Sequence, residues 1–251
     1  MKRIGLIGGM SWESTATYYR LANEAVRAAR GSLASADILL HSLDFSAVVA
    51  LQKAGRWDLA AEMLADSARR LERAGADCVL ICTNTMHLVS AEVQAAVSIP
   101  LIDIIHETGA TLSRAGFSRP LLLATAYTME HGFYADRMEA ATGFRPLVPD
   151  AADRAFVHRV IFEELCAGHV DPASRRGFEA VVERGRAAGA DSVILGCTEI
   201  GLLVRPDALA LPGVCSTEIH AAAAVRFALG EAARETVTWT DNAKLRERVA
   251  A

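Results

Sequence analysis

Gly75-Ala76-Asp77-Cys78-Val79-Leu80-Ile81-Cys82-Thr83-Asn84-Thr85 can be laid over Gly189-Ala190-Asp191-Ser192-Val193-Ile194-Leu195-Gly196-Cys197-Thr198-Glu199. Both segments read as a helix end, a Gly-Ala-Asp turn, a buried strand, and a tip of small hydroxyl or thiol residues. A short apolar run with no polar alternation suits a parallel sheet covered on both faces. The chain start and the run Arg119-Pro120-Leu121-Leu122-Leu123-Ala124-Thr125 match at nearly the same offset. The chain therefore reads as two similar α/β halves. In open parallel sheets, ligands bind beyond the carboxyl ends of the strands. The echoed tips, Thr83 and Cys197, become the natural pair to face each other across a cleft.

Outward from these segments, short β-branched or leucine-rich runs predict strands at 3–7, 37–41, 78–82, 101–104, 120–124, 144–148 and 192–196. Amphipathic stretches predict helices at about 12–29, 58–74, 131–141, 157–167 and 172–188. Gly31, Gly75 and Gly189 stand just past helix ends, where a left-handed cap is wanted. The expected fold class is α/β, with parallel sheets flanked by helices in two pseudo-symmetric domains. One domain is expected from 1–98 plus about 213–251, which closes it, and the other from 99–212.

Composition narrows the function. The chain has 251 residues, 52% hydrophobic and 22% charged, with a net charge of −4. Its arginines are scattered among acidic residues, so no basic face for nucleic acid is expected. The apolar run at the N-terminus breaks at Gly8-Gly9-Met10-Ser11-Trp12-Glu13. No stretch approaches the roughly 18 apolar residues of a membrane span, so a cytoplasmic protein is expected. Five cysteines at unpaired spacings argue against a disulfide framework, and no Cys/His cluster has zinc spacing. The three lysines, Lys2, Lys53 and Lys244, lie outside any motif, leaving pyridoxal phosphate without a good anchor. No cofactor and no metal are expected.

At the first tip, Asn84 and Thr85 follow a buried strand and open a helix, whose backbone N–H groups suit a carboxylate. The same pair would also serve as a simple helix cap. At the second tip, Gly196 admits a ligand close to the backbone, and Cys197 at a helix N-terminus is a usable base or nucleophile. Cys78, Cys82 and Cys166 read as small core hydrophobes. His87 is suited to holding the first tip's loop, and His220 begins a helix packed on alanines.

Taken together, Gly5-Leu6-Ile7-Gly8-Gly9-Met10-Ser11-Trp12-Glu13-Ser14, Cys82-Thr83-Asn84-Thr85-Met86-His87 and Leu195-Gly196-Cys197-Thr198-Glu199-Ile200 resemble the aspartate/glutamate racemase family. Tyr127-Thr128-Met129, Ser174-Arg175 and Ile219-His220-Ala221 add to the match, which is collinear over nearly the whole chain. It is most similar to the bacterial broad-specificity amino-acid or L-aspartate/glutamate racemase branch. The resemblance implies an active site between two pseudo-symmetric domains, a homodimer, and proton exchange at an amino acid's α-carbon without pyridoxal phosphate.

That reaction needs acid and base groups on opposite faces and hydrogen bonds that stabilise the carbanion. Family members typically use two cysteines, the first immediately before the Asn-Thr pair. Here that position is Thr83, and Cys82 sits one residue early, which turns a strand side chain to the other face. The expectation is Cys197 as base on one enantiomer and Thr83 as proton donor opposite. Met10, Gln52, Thr125 and Thr128 carry over by resemblance as substrate contacts, beside Asn84, Thr85, Thr198 and Glu199 from the tips. Ala124-Thr125-Ala126 replaces the usual Gly-Thr and lacks an arginine often found there, and Cys215-Ser216-Thr217 replaces the common Asp-Thr. Val48 and Glu163-Glu164 do not suit a substrate's second carboxylate, while Lys53 and Arg56 are nearby basic candidates. Two alternatives stand: a single-cysteine decarboxylase of malonate-type acids, and a non-catalytic carboxylate sensor.

Overall fold

The computed structural model describes residues 1–230. The part of the expected closing segment beyond 230 lies outside the described residues. The chain forms two compact units, one from Met1–Asp103 with 220–230 and one from Ile104–Ile219.

The first unit holds β1 (Ile4–Gly8), α1 (Trp12–Arg30), β2 (Ile38–Ser42), α2 (Phe45–Lys53), α3 (Trp57–Arg73), β3 (Cys78–Ile81), α4 (Ser90–Ala95) and β4 (Leu101–Ile102). The second holds α5 (Ile104–Arg114), β5 (Pro120–Leu123), α6 (Ala126–Glu130), α7 (Phe133–Thr142), α8 (Ala151–Arg159), α9 (Pro172–Ala187), β6 (Ser192–Leu195), α10 (Ile200–Leu203) and β7 (Gly213–Cys215). The last helix, α11 (Ser216–Leu229), starts in the second unit and continues in the first. The first sheet runs β2-β1-β3-β4 and the second β5-β6-β7, all parallel. Every residue of β3 and β6 is buried. Each fully buried Leu or Ile contributes about 1.5–3 kcal/mol.

The sequence echo is a structural repeat within each unit. In the first, β1 and β3 pair with Ile4 opposite Cys78 and Ile7 opposite Ile81. In the second, β5 and β6 pair with Pro120 opposite Ser192 and Leu123 opposite Leu195. Asp77 accepts the Arg3 N–H at 2.6 Å, and Asp191 accepts the Arg119 N–H at 3.0 Å. The strand tips close alike: Cys82 N–H donates to Ile7 O at 3.0 Å, and Gly196 N–H to Leu123 O at 2.8 Å. Cys82 thus corresponds to Gly196, and Thr83 to Cys197.

Two expectations need correction, and one strand lies outside them. Residues 144–148 form no strand; they touch β5 through a single parallel bridge, Leu121 with Leu147. The helix expected at 157–167 is a succession of α8, a π-turn at Val160–Glu164 and a 3-10 turn at Leu165–Ala167. The three-residue β7 escapes the sequence pattern because Pro212 and Gly213 punctuate it.

The turn after β1 explains the N-terminal glycines. Gly9 has φ +86, and a Cβ there would overlap the backbone oxygen of Leu43. Its N–H donates to Thr15 Oγ1 at 2.8 Å, while Ser11 caps α1 through Ser14 N–H.

Candidate active site

In the first unit, β3 delivers Cys82 into the core, where it is fully buried and burial pushes its thiol above the ordinary range. One residue on, Thr83 is half-buried. Its N–H donates to Ile81 O at 2.8 Å, and its carbonyl accepts from His87 Nδ1 at 2.8 Å. Both backbone groups of Thr83 are therefore fixed. Asn84 and Thr85 are buried beside it. The chain then opens the expected helix as a five-residue 3-10 turn, Thr85–Val89, before α4, and the Asn84 side chain does not cap it. A long helix end that would hold an anion is thus missing, and the polar side chains remain as the tip's chemistry.

His87 is fully buried, edge-on to His220 at 5.6 Å between ring centroids. His220 Nε2 lies 2.7 Å from Ile102 O, and its Nδ1 lies 2.8 Å from Tyr18 Oη. A carbonyl only accepts, so Nε2 carries the proton and Nδ1 accepts from the tyrosine. Burial first, and then His87, hold the His220 pKa down to about 3, which keeps the ring neutral. Met10 is a core residue of the same unit, and Gln52 is buried with Nε2 donating to Met86 Sδ at 3.1 Å. Val48 is also core, Lys53 is exposed at the end of α2, and Arg56 pairs with Asp58 at 2.7 Å.

In the second unit, Gly196 packs where a Cβ would lie 2.9 Å from Leu122 Cδ1 and 3.1 Å from Ala124 Cβ. Strand packing by itself already calls for a glycine there. Cys197 is half-buried against the unit's core, and its thiol donates to Glu199 Oε2 at 2.9 Å. Thr198 Oγ1 donates to the same oxygen at 2.6 Å, and Glu199 is buried. The expected thiolate stabilisation is not found. The helix beyond the tip, α10, has only four residues. Burial, and after it the Glu199 carboxylate, pushes the Cys197 thiol well above its ordinary range. The resting site is a thiol hydrogen-bonded to a buried carboxylate.

Thr125 and Thr128, both buried, come after β5 with their hydroxyls 3.2 Å apart. Ala126 N–H between them donates to His158 Nδ1 at 3.2 Å, and burial lowers the His158 pKa, which favours the neutral acceptor. Sequence reasoning misses His158, because 32 residues separate it from Ala126 and no motif links them. Glu164, the residue unsuited to a second substrate carboxylate, is held by Ser174 Oγ at 2.5 Å and Arg159 at 2.7 Å. Among the described residues, no His/Cys/Asp/Glu group is arranged to hold a metal ion, and no helix is long and apolar enough to cross a membrane.

The family described as Asp/Glu/Hydantoin racemase matches residues 7–224. A solved chain from Yersinia pestis, assigned as an Asp/Glu racemase, is 44% identical, with TM-score 0.86, over 91% of this chain and 100% of that one. An aspartate racemase homologue from Pyrococcus horikoshii OT3 is 31% identical, with TM-score 0.80, over the same shares. At 17% identity and TM-score 0.53, an arylmalonate decarboxylase shares the fold over 92% of this chain and 94% of its own.

Proposed function

The chain belongs to the Asp/Glu/Hydantoin racemase family, an enzyme of the racemase type, and from that premise we propose that it interconverts L- and D-amino acids without pyridoxal phosphate. Its substrates are aspartate and glutamate or a broader set. Cys197 and Thr83 exchange protons with opposite faces of the α-carbon. The observation that carries this reading is the Cys197 thiol donating at 2.9 Å to a buried carboxylate, at the strand-end position that Thr83 occupies in the other repeat.

The steps derive from the groups present. Glu199 takes the thiol proton, and the thiolate removes the α-proton. Hydrogen-bond donors of the tips, Asn84, Thr85 and Thr198, stabilise the charge that develops on the substrate carboxylate. The Thr83 hydroxyl delivers a proton to the opposite face and is reprotonated from water, and the proton held by Glu199 neutralises the hydroxide left, which restores the starting state. The reverse reaction retraces this path, with water drawing the Thr83 proton. An alcohol is a far weaker acid than a thiol, so Thr83 serves as a relay rather than as an independent base. Met10, Gln52, Thr125 and Thr128 complete the substrate contacts in this reading, and the racemase-branch assignment rests on Thr83 standing where a second cysteine is usual.

The test is a chiral screen of common amino acids in deuterated water, read by proton NMR. The wild-type chain exchanges the α-proton and loses enantiomeric purity, and Cys197→Ala loses both by at least about a hundredfold, as expected for an essential proton-transfer group. Exchange retained in Cys197→Ala would overturn the assignment. Carbon dioxide release from an arylmalonate without amino-acid exchange would favour the decarboxylase instead.

A further inference from the structure

We infer that His87 is a positioning residue for the first tip, fixing the Thr83 backbone through its carbonyl and so the place from which the Thr83 hydroxyl turns; this rests on Thr83 being the proton relay proposed above. Three observations lead there. The Thr83 N–H is bonded to Ile81 O and its carbonyl to His87 Nδ1, each at 2.8 Å, so only side-chain rotation remains free. The His87 ring is fully buried against His220. His220 is in turn held at both nitrogens, by Tyr18 of α1 and by Ile102 of β4. One unbroken chain of contacts thus ties a half-exposed tip to a helix and a strand of its own unit.

The hydrogen bond fixes the tautomer: a carbonyl accepts, so His87 carries its proton on Nδ1. Side-chain geometry then separates positioning from bulk. The amide nitrogen of asparagine stands near the place of a histidine Nδ1 and donates likewise, whereas glutamine's amide reaches toward the place of Nε2. Asparagine should therefore restore the bond to Thr83, and glutamine should not.

The reaction supplies a readout that loss of packing would not give. If only the Thr83 side is misplaced, Cys197 still removes and returns the α-proton that faces it. Deuterium then enters one enantiomer with retention while inversion fails. The experiment compares wild type, His87→Ala, His87→Asn and His87→Gln in deuterated water. It tracks α-deuteration of each enantiomer and inversion separately, with the amino acid that the wild type turns over fastest.

We expect His87→Ala and His87→Gln to slow inversion at least about tenfold, as misplacements of about an ångström do. Exchange of the enantiomer whose proton faces Cys197 stays within about threefold, and His87→Asn inverts within about threefold of wild type, because the donor is kept. Equal losses of exchange and inversion, inversion at the wild-type rate in His87→Ala, or an asparagine variant no better than alanine would each overturn the inference. A wild-type chain that exchanges no amino acid defeats the proposed function itself, and this inference with it. That outcome is distinguishable because it appears before any variant is made.

Discussion

The Glu199 carboxylate has two opposed effects on the Cys197 thiol. It offers the proton a destination 2.9 Å away, yet its negative charge disfavours the thiolate left behind. Replacing it by glutamine removes the charge and the base that can take up the proton, while the amide oxygen still accepts a hydrogen bond. The thiol's titration in Glu199→Gln therefore shifts to lower pH, while burial, the larger cause, keeps it above an ordinary cysteine. Racemisation falls in the same variant, because the thiol has lost its proton acceptor. Alkylation of the Cys197 peptide, quantified by mass spectrometry across pH, measures the first effect. An unmoved midpoint would show that the carboxylate does not act on the thiol. Cys197 and the position of Thr83 are readable from the sequence, because strand registry is written in the Gly-Ala-Asp repeat. The thiol–carboxylate contact is not, since it depends on side-chain rotation within one short turn. The bond from Ala126 to His158 is not either, since it joins residues that only the folded unit brings together.

At the scale of elements, what the sequence shows depends on whether local pattern and tertiary burial agree. α1, α3 and α9 are legible as amphipathic repeats ending beside Gly31, Gly75 and Gly189. The run at 144–148 has strand-like residues, but it supplies only one bridge to the sheet edge, and propensity alone does not build a ladder. α11, rich in alanine and buried on several sides, lacks the one-sided stripe that reveals a helix, so its body is hidden in the sequence. The turn between β1 and α1 offers a prediction at this scale. Gly9→Ala places a side chain at φ +86 and against the Leu43 backbone, so it suffers both strain and overlap. Gly55→Ala, at φ +64 with nothing within 4 Å, suffers strain alone. Strain of this kind costs about 1–2 kcal/mol. Urea unfolding should show Gly9→Ala losing at least about 1 kcal/mol more than Gly55→Ala, as overpacking adds to strain. Equal losses would mean that the Leu43 backbone yields and that the turn is not a tight one.

For the whole molecule, sensitivity to acid stems from the neutral histidine at the meeting of α1, β4 and α11. In the native protein the His220 pKa is about 3, with burial the main cause, whereas an unfolded histidine titrates near 6.5. The native ring refuses a proton that the unfolded chain accepts between these values. Its contribution to stability is therefore complete above about pH 6.5 and is lost as pH falls toward 3, at up to about 1.4 kcal/mol per pH unit. His158, whose pKa burial also lowers, adds a slope of the same sign in the second unit. His220→Gln keeps an amide nitrogen able to donate toward Ile102 O and removes the titration. Its stability at neutral pH should fall, because the bond from Tyr18 is remade imperfectly, but its decline below pH 6.5 should be shallower than that of the wild type. Urea unfolding at intervals from pH 7.5 to 4 measures both slopes. Residual steepness in the variant is expected from His158, and a double variant with His158→Gln should flatten the curve further. Parallel curves for wild type and His220→Gln would mean that the proton reaches His220 in the folded chain at an ordinary pH. The Tyr18–His220–Ile102 contacts would then be too loose to anchor the ring against which His87 holds Thr83.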